Sequence, residues 1–353
     1  MVAEDLARQV CLVELCRDGV CLREETWPQP ADDSWVLVEP RLAGLCSSDF
    51  KEVRRAREVR SDFGHEVVGF VKAGTVDGLA PGLRVCVDPH VDVRRTTGFG
   101  TAMLVSGDPG AVRAALPAAP PTAPDERAVF VEPLACVAHC ATRVDQDSNV
   151  AILGAGTSAA LLSILLRLHG CQVALVNRGA TRLELLRGKR LLSGTRLIMA
   201  GDADPGGFQT VVVTTTRLDD ATFALAWRLL PARRGRLVLF GGIQGDWRAP
   251  GSGLPLDVLR RSEGEIVLDC DGKRALVVGS HGPTPADVAA AVAVLNASLP
   301  WTPTHVEELI AARVDLVGLV DVLNSAVRSG VDPVGKHVVR LSLAEQDRPP
   351  ASA

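Results

Sequence analysis

The chain has 353 residues, 47% hydrophobic and 23% charged, the proportions of a soluble globular protein long enough for two domains. A formal net charge of -4 argues against a general nucleic-acid binder, and no apolar run reaches the length of a membrane span. Nine scattered cysteines without a CxxC pair, and an acidic start (Met1-Val2-Ala3-Glu4-Asp5) without a signal-peptide core, fit reduced thiols in the cytoplasm.

Up to about residue 142 the chain reads as short strands and turns. Residues 10–15 and 34–39 are β-rich runs bounded by Gly, Pro and Asp. Between them and the next strand lie two motifs, Gly44-Leu45-Cys46-Ser47-Ser48-Asp49 and Gly64-His65-Glu66-Val67-Val68-Gly69. A thiolate, an imidazole and an adjacent carboxylate suit zinc, which accepts sulfur, nitrogen and oxygen donors and keeps one position open in catalytic sites. Pro81-Gly82 turns the chain into a strand at 83–87. Residues 114–124 are expected to form a surface loop, because four prolines interrupt them.

From about 143 the pattern changes to alternating strands and helices. Strands are expected at 150–153, 172–176, 196–199, 210–213 and 236–240, and helices at 158–169, 183–192 and 221–230. This alternation predicts a parallel, doubly wound sheet. Residues 266–268 and 275–278 read as a hairpin or two edge strands around Asp271-Gly272, followed by a helix over 285–295 and a last strand over 335–341. The first βα turn, Gly154-Ala155-Gly156-Thr157-Ser158-Ala159, follows an apolar strand and opens a helix, as a dinucleotide-binding turn must. Gly154 permits the tight turn, and Gly156 lets the backbone and the N–H groups of Thr157 and Ser158 approach a pyrophosphate. A metal that polarises an alcohol oxygen and a cofactor that takes its hydride together imply a dehydrogenase.

In these segments the chain resembles the medium-chain dehydrogenase/reductase superfamily, in its zinc alcohol, sorbitol and threonine dehydrogenase branch. The Cys46 and His65 motifs, Glu132-Pro133-Leu134-Ala135-Cys136 and the glycine turn carry the match in family order, with minor support from 81–85 and 278–282. The resemblance implies an α/β protein. A GroES-like, partly open β-barrel catalytic domain would occupy 1–142, a Rossmann cofactor domain 143–297, and a return to the catalytic domain 298–343. A disordered tail would fill 344–353.

It also implies roles. Cys46 and His65 would be zinc ligands, with Glu66 or Glu132 supplying the third, oxygen donor. Asp49 would support the metal site from outside the ligand set. Ser48 would pass the alcohol proton onward, and Lys51 stands where relatives often carry the histidine that completes the relay. The family's second zinc site is missing, since no cysteine lies between Cys86 and Cys136, so one zinc per chain is expected. Cys136, His139 and Cys140 are read as a packing face of a helix.

The second strand of the cofactor domain ends at Asn177, where an NAD enzyme usually has Asp or Glu. Asn177-Arg178, with Arg182, removes a carboxylate that would repel a 2′-phosphate and adds cations that can pair with it. NADP(H) is therefore favoured over NAD(H). The basic stretch 51–60 would border the substrate entrance and draw in an anionic substrate. The expected reaction interconverts a secondary alcohol and a ketone on a small polar, polyol-, sugar- or cyclitol-like substrate. A zinc-free reductase of the same fold and a cofactor-binding protein without turnover are the alternatives. Relatives pair edge strands of their cofactor domains, so the apolar strand 275–278, taken as an edge, implies a homodimer, or a tetramer built from it. No nucleic-acid or membrane partner is expected.

Overall fold

The computed structural model describes residues 9–27, 30, 32–54, 63–243, 247–250, 253–296 and 305–341. Part of the basic stretch (55–60) and the tail from 344 lie outside the described residues. The chain divides into two compact units, one of 1–132, 295–297 and 310–353, the other of 133–294 and 298–309. The division falls ten residues before the expected boundary, inside one helix.

In the first unit β1 (Gln9–Cys16) and β2 (Gly19–Thr26) form a hairpin, followed by β3 (Trp35–Gly44) and α1 (Ser47–Val53). Next come β4 (Glu66–Gly74), β5 (Arg84–Cys86), β6 (Arg94–Arg95), β7 (Met103–Ser106), α2 (Pro109–Ala115) and α3 (Asp125–Ala128). Helix α4 (Val131–Ala141) crosses the boundary.

The second unit continues with β8 (Asn149–Leu153), α5 (Thr157–Leu168), β9 (Gln172–Asn177), α6 (Ala180–Leu186) and β10 (Arg196–Met199). It is completed by β11 (Thr210–Val213), α7 (Asp220–Leu229), β12 (Gly235–Leu239), α8 (Leu256–Arg261), β13 (Glu265–Cys270), β14 (Lys273–Gly279) and α9 (Pro285–Asn296). The chain then returns to the first unit with β15 (Ile310–Val314), α10 (Leu316–Ser329) and β16 (Lys336–Arg340).

The second unit's sheet has the strand order β10-β9-β8-β11-β12-β14-β13, parallel except for β13. This is the doubly wound nucleotide-binding topology, whose sites lie beyond the carboxyl ends of the strands. Strands β8, β9, β11 and β12 are buried along most of their length, which is why they read as continuous apolar runs. In the first unit β16 and β4 flank β3, with β15 and β5 outside them, and β7 also pairs β3. The core there packs Phe63 edge-on against Phe99, with Met103 and Leu116, and takes Leu316, Leu319 and Leu323 from α10.

Four expectations need correction. Cys16 and Cys21 form a disulfide across the β1–β2 hairpin, so the cysteines are not all reduced thiols. The hairpin's two-residue turn brings their Cα atoms to 6.0 Å, within disulfide range. The 114–124 segment is not simply a surface loop. The N–H groups of Cys86 and Ala119 bond Pro117 O and Arg84 O, Arg84 holds the carbonyls of Pro120 and Ala123, and Ala119 and Ala123 are buried. The helix expected over 183–192 ends at Leu186, and a 3-10 turn over Arg190–Leu192 follows Gly188 at φ 76°. Finally, 275–278 is not an edge, because β14 lies between β12 and β13; the edge strand on that side is β13, with β10 at the other edge.

Candidate metal centre and cofactor turn

Cys46 caps the N-terminus of α1, and the first turn of that helix brings Asp49 back toward it. Asp49, with 0% exposure, accepts hydrogen bonds from Cys46 N–H (2.8 Å) and Gly64 N–H (3.0 Å). Its Oδ1 also lies 3.8 Å from His65 Nδ1. One buried carboxylate thus ties together the two chain segments that carry the thiol and the imidazole. Cys46, His65 and Glu66 present ligand atoms within 4.8 Å of one another. Burial alone would raise the Cys46 thiol, but the hydrogen bond and charge of His65 outweigh it and bring its pKa down to about 7. His65 shows the reciprocal effect: burial opposes its charge, yet Cys46 and Asp49 raise it to about 9. A low-pKa thiol beside an imidazole and a carboxylate is the chemistry of a zinc donor set.

Glu66 and Lys336 form a buried ion pair, with side chains 3% and 2% exposed. The register places Gly44 opposite Glu66 on one side and Val338 on the other, so β3 runs between the partners. A Cβ at Gly44 would collide with Glu66 Oε2 and lie 2.8 Å from Lys336 Nζ, so only glycine leaves room for the pair. Lys336 Nζ also donates to Leu45 O at 3.0 Å. Burial lowers its pKa to about 8, against the charges of Cys46 and Asp49. Glu132, on α4, acts electrostatically on His65 and lies 3.9 Å from His90 Nε2.

The sequence reading did not single out Lys336 or His90. Lys336 had a signal: it shares the buried face of β16 with Val338, where a strand normally carries an apolar residue. Ser48 lies on α1 next to Asp49, and its Oγ is buried without a hydrogen-bond partner among the described residues. Lys51 is half-buried on the same helix.

In the second unit β8 ends at Leu153, Gly154 turns at φ 124°, and Gly156 caps α5. A Cβ at Gly156 would meet nothing within 4 Å, leaving open the space before Thr157 and Ser158 at the helix N-terminus. Asn177 closes β9, its side-chain amide donating to Gly179 O at 2.7 Å. Arg178 is exposed and Arg182 half-buried. The Arg178 charge also helps hold Asp219 below the usual carboxylate range, behind the larger effect of the Asp219–Thr222 hydrogen bonds. His139 is bonded within this unit, to Asp287 at 3.0 Å and Glu263 at 2.5 Å, while Cys140 is fully buried.

The chain combines a GroES-like domain and a Rossmann-like parallel sheet, the fold of the solved dehydrogenases to which it is similar. The family profile of the alcohol dehydrogenase GroES-like domain matches residues 32–116, which include Cys46, Asp49, His65 and Glu66. Galactitol-1-phosphate dehydrogenase from Escherichia coli is similar at 21% identity and TM-score 0.70, over 94% of this chain and 99% of that one. A protein described as a zinc-binding dehydrogenase from Sinorhizobium meliloti 1021, bound to NADP, matches at 23% identity and TM-score 0.70, over 94% and 99%. The alcohol dehydrogenase TADH from Thermus sp. ATN1 matches at 20% and 0.70, over 94% and 100%. Among curated protein sequences none matches.

Proposed function

We propose that the protein is a zinc-dependent oxidoreductase that interconverts a secondary alcohol and a ketone with NADP(H). The observation that carries this reading is the convergence of Cys46, His65 and Glu66 around the Asp49 clamp, inside the segment that matches the GroES-like profile. Cys46 and His65 would hold one zinc, with Glu66 or Glu132 as the oxygen donor. When bound, zinc supplies Lewis-acid polarisation of the alcohol oxygen, and the nicotinamide accepts or returns the hydride. Asp49 keeps thiol and imidazole in register. Ser48 Oγ, buried and without a partner among the described residues, is the group to receive the alcohol proton, and Lys51 on the same helix is the next station toward solvent.

On the cofactor side, Gly154 and Gly156 leave room for the pyrophosphate, and the N–H groups of Thr157 and Ser158 would bind it. Asn177, Arg178 and Arg182 favour NADP(H) over NAD(H), and the NADP bound by the Sinorhizobium protein of the same fold agrees with this. The galactitol-1-phosphate dehydrogenase likeness supports a small polar, polyol-like and anionic substrate. A homodimer would form along β13, whose Val267 is 54% exposed, and a tetramer is the alternative. No helix among the described residues is long and apolar enough to cross a membrane, in keeping with a cytoplasmic enzyme.

A second reading is a zinc-free reductase of the same fold, favoured by the Cys46–His65 hydrogen bond, which satisfies both side chains without a metal. The Cys46→Ala variant separates the readings. Zinc-dependent chemistry predicts that turnover of a secondary-alcohol panel is abolished while cofactor binding, which lies in the other unit, stays within about twofold, near the ±0.5 kcal/mol of a remote substitution. Retained turnover would favour the zinc-free reductase.

A further inference from the structure

A cavity of about 1180 Å³ opens at the amino ends of the second unit's strands, lined by the loops 145–148, 231–236 and 269–274. The glycine turn lies at the carboxyl end of β8, one strand length away; five residues at about 3.3 Å each make this about 16 Å. The cavity is therefore separate from the cofactor turn.

Its charges are mostly committed. Arg236 pairs with Asp145 at 3.0 Å and Arg274 with Asp269 at 4.0 Å. Lys273 Nζ donates to the carbonyls of Trp227, Arg228 and Leu230 at 2.7–3.1 Å, closing the end of α7. Asp147, whose Oδ1 lies beside Gly170, and Asp271, hydrogen-bonded to the Cys270 thiol, line the same cavity as carboxylates without a salt bridge among the described residues. Among the cations of the lining, Arg233 and Arg234 are consecutive, exposed and without a partner among the described residues. Arg234 sits at φ 61°, a left-handed conformation that arginine rarely adopts. Ser148 and Gln209 also line the cavity, the Ser148 hydroxyl donating to Asp145 O at 2.6 Å and Gln209 Oε1 accepting from Asn149 N–H at 2.8 Å.

We infer that this cavity is a second anion site that binds a phosphoryl dianion through Arg233 and Arg234. Two planar guanidinium forks match the oxygens of a phosphoryl group, and the volume accommodates a small organic body attached to it. The phosphoryl group could be free phosphate or a phosphomonoester.

The test is a ³¹P NMR titration of the full chain with inorganic phosphate and, separately, ribose 5-phosphate, at constant ionic strength set with chloride. It uses wild type, Arg233→Ala/Arg234→Asn and Arg178→Ala, with asparagine chosen at 234 because it tolerates the left-handed backbone. Saturable binding that weakens about tenfold or more in the double variant, the loss expected for one charge-assisted hydrogen bond, and is unchanged in Arg178→Ala supports the site. Tighter binding of ribose 5-phosphate identifies a phosphorylated metabolite as the occupant, and equal binding identifies free phosphate. No saturable binding by wild type, or binding lost in Arg178→Ala but kept in the double variant, overturns the inference. Circular dichroism of the double variant controls for folding.

Discussion

Replacing Lys336 with methionine leaves the Glu66 carboxylate 3% exposed and without its cation, and removes the donor to Leu45 O. Breaking a buried pair by removing one partner costs about 3–5 kcal/mol, because the surviving charge must be neutralised or left unpaired. Methionine fills a similar volume, so the cavity contribution is small. For a unit of this size the loss corresponds to a fall in Tm of roughly 10 °C. Glu66→Leu leaves the buried ammonium of Lys336 and should cost a comparable amount, while the double variant should recover about 2–3 kcal/mol of the summed cost, the coupling expected of contacting residues. Differential scanning calorimetry on chelator-dialysed protein measures this without interference from metal loss. Single variants within about 0.5 kcal/mol of wild type, or a double variant equal to the sum of the singles, would refute the buried-pair reasoning.

Asp49→Asn keeps one acceptor oxygen where two are used, so zinc affinity should fall about 10–100-fold in chelator competition. In metal-free protein, iodoacetamide should modify Cys46 first, with a rate that is half-maximal near pH 7 and drops about tenfold per unit below it, since only the thiolate reacts. Cys86 and Cys140, pushed up to about 12 by burial, should stay unmodified under the same conditions, as mass mapping will show. Arg178→Ala should weaken NADP(H) by about 1.5–3 kcal/mol and scarcely change NAD(H), measured by fluorescence titration of both reduced cofactors. Wild type binding NAD(H) more tightly would overturn that assignment.

The parallel sheet was the most legible part of the chain. Strands β10 and β11 coincide with the expected ranges: β11 is buried throughout, as a strand covered on both faces must be, while β10, at the sheet edge, carries exposed Arg196 ahead of three half-buried apolar residues. Helix α10 was missed although Asp315 caps it and Leu316, Leu319, Leu323 and Ala326 repeat at helical spacing. Its amphipathic signal follows a stretch where the strand–helix alternation stops. The Cys46 and His65 motifs marked the cluster that Cys46, His65 and Glu66 form, since a cluster built from neighbouring segments keeps its spacing in sequence. Lys336 comes from more than 250 residues away and reaches Glu66 only through the β16–β3–β4 register, a long-range pairing that local pattern does not encode. The Cys16–Cys21 bridge was obscured likewise: spacing shows two scattered cysteines, and only the hairpin brings them together.

The most direct test of the central claim is a zinc titration of chelator-treated protein, following NADPH formation at 340 nm with a saturating polyol or other secondary alcohol. The account predicts turnover rising linearly with added zinc and reaching its plateau at one zinc per chain. Full turnover before zinc is added, a plateau at two, or zinc-replete protein inactive on every secondary alcohol and with either cofactor would contradict it.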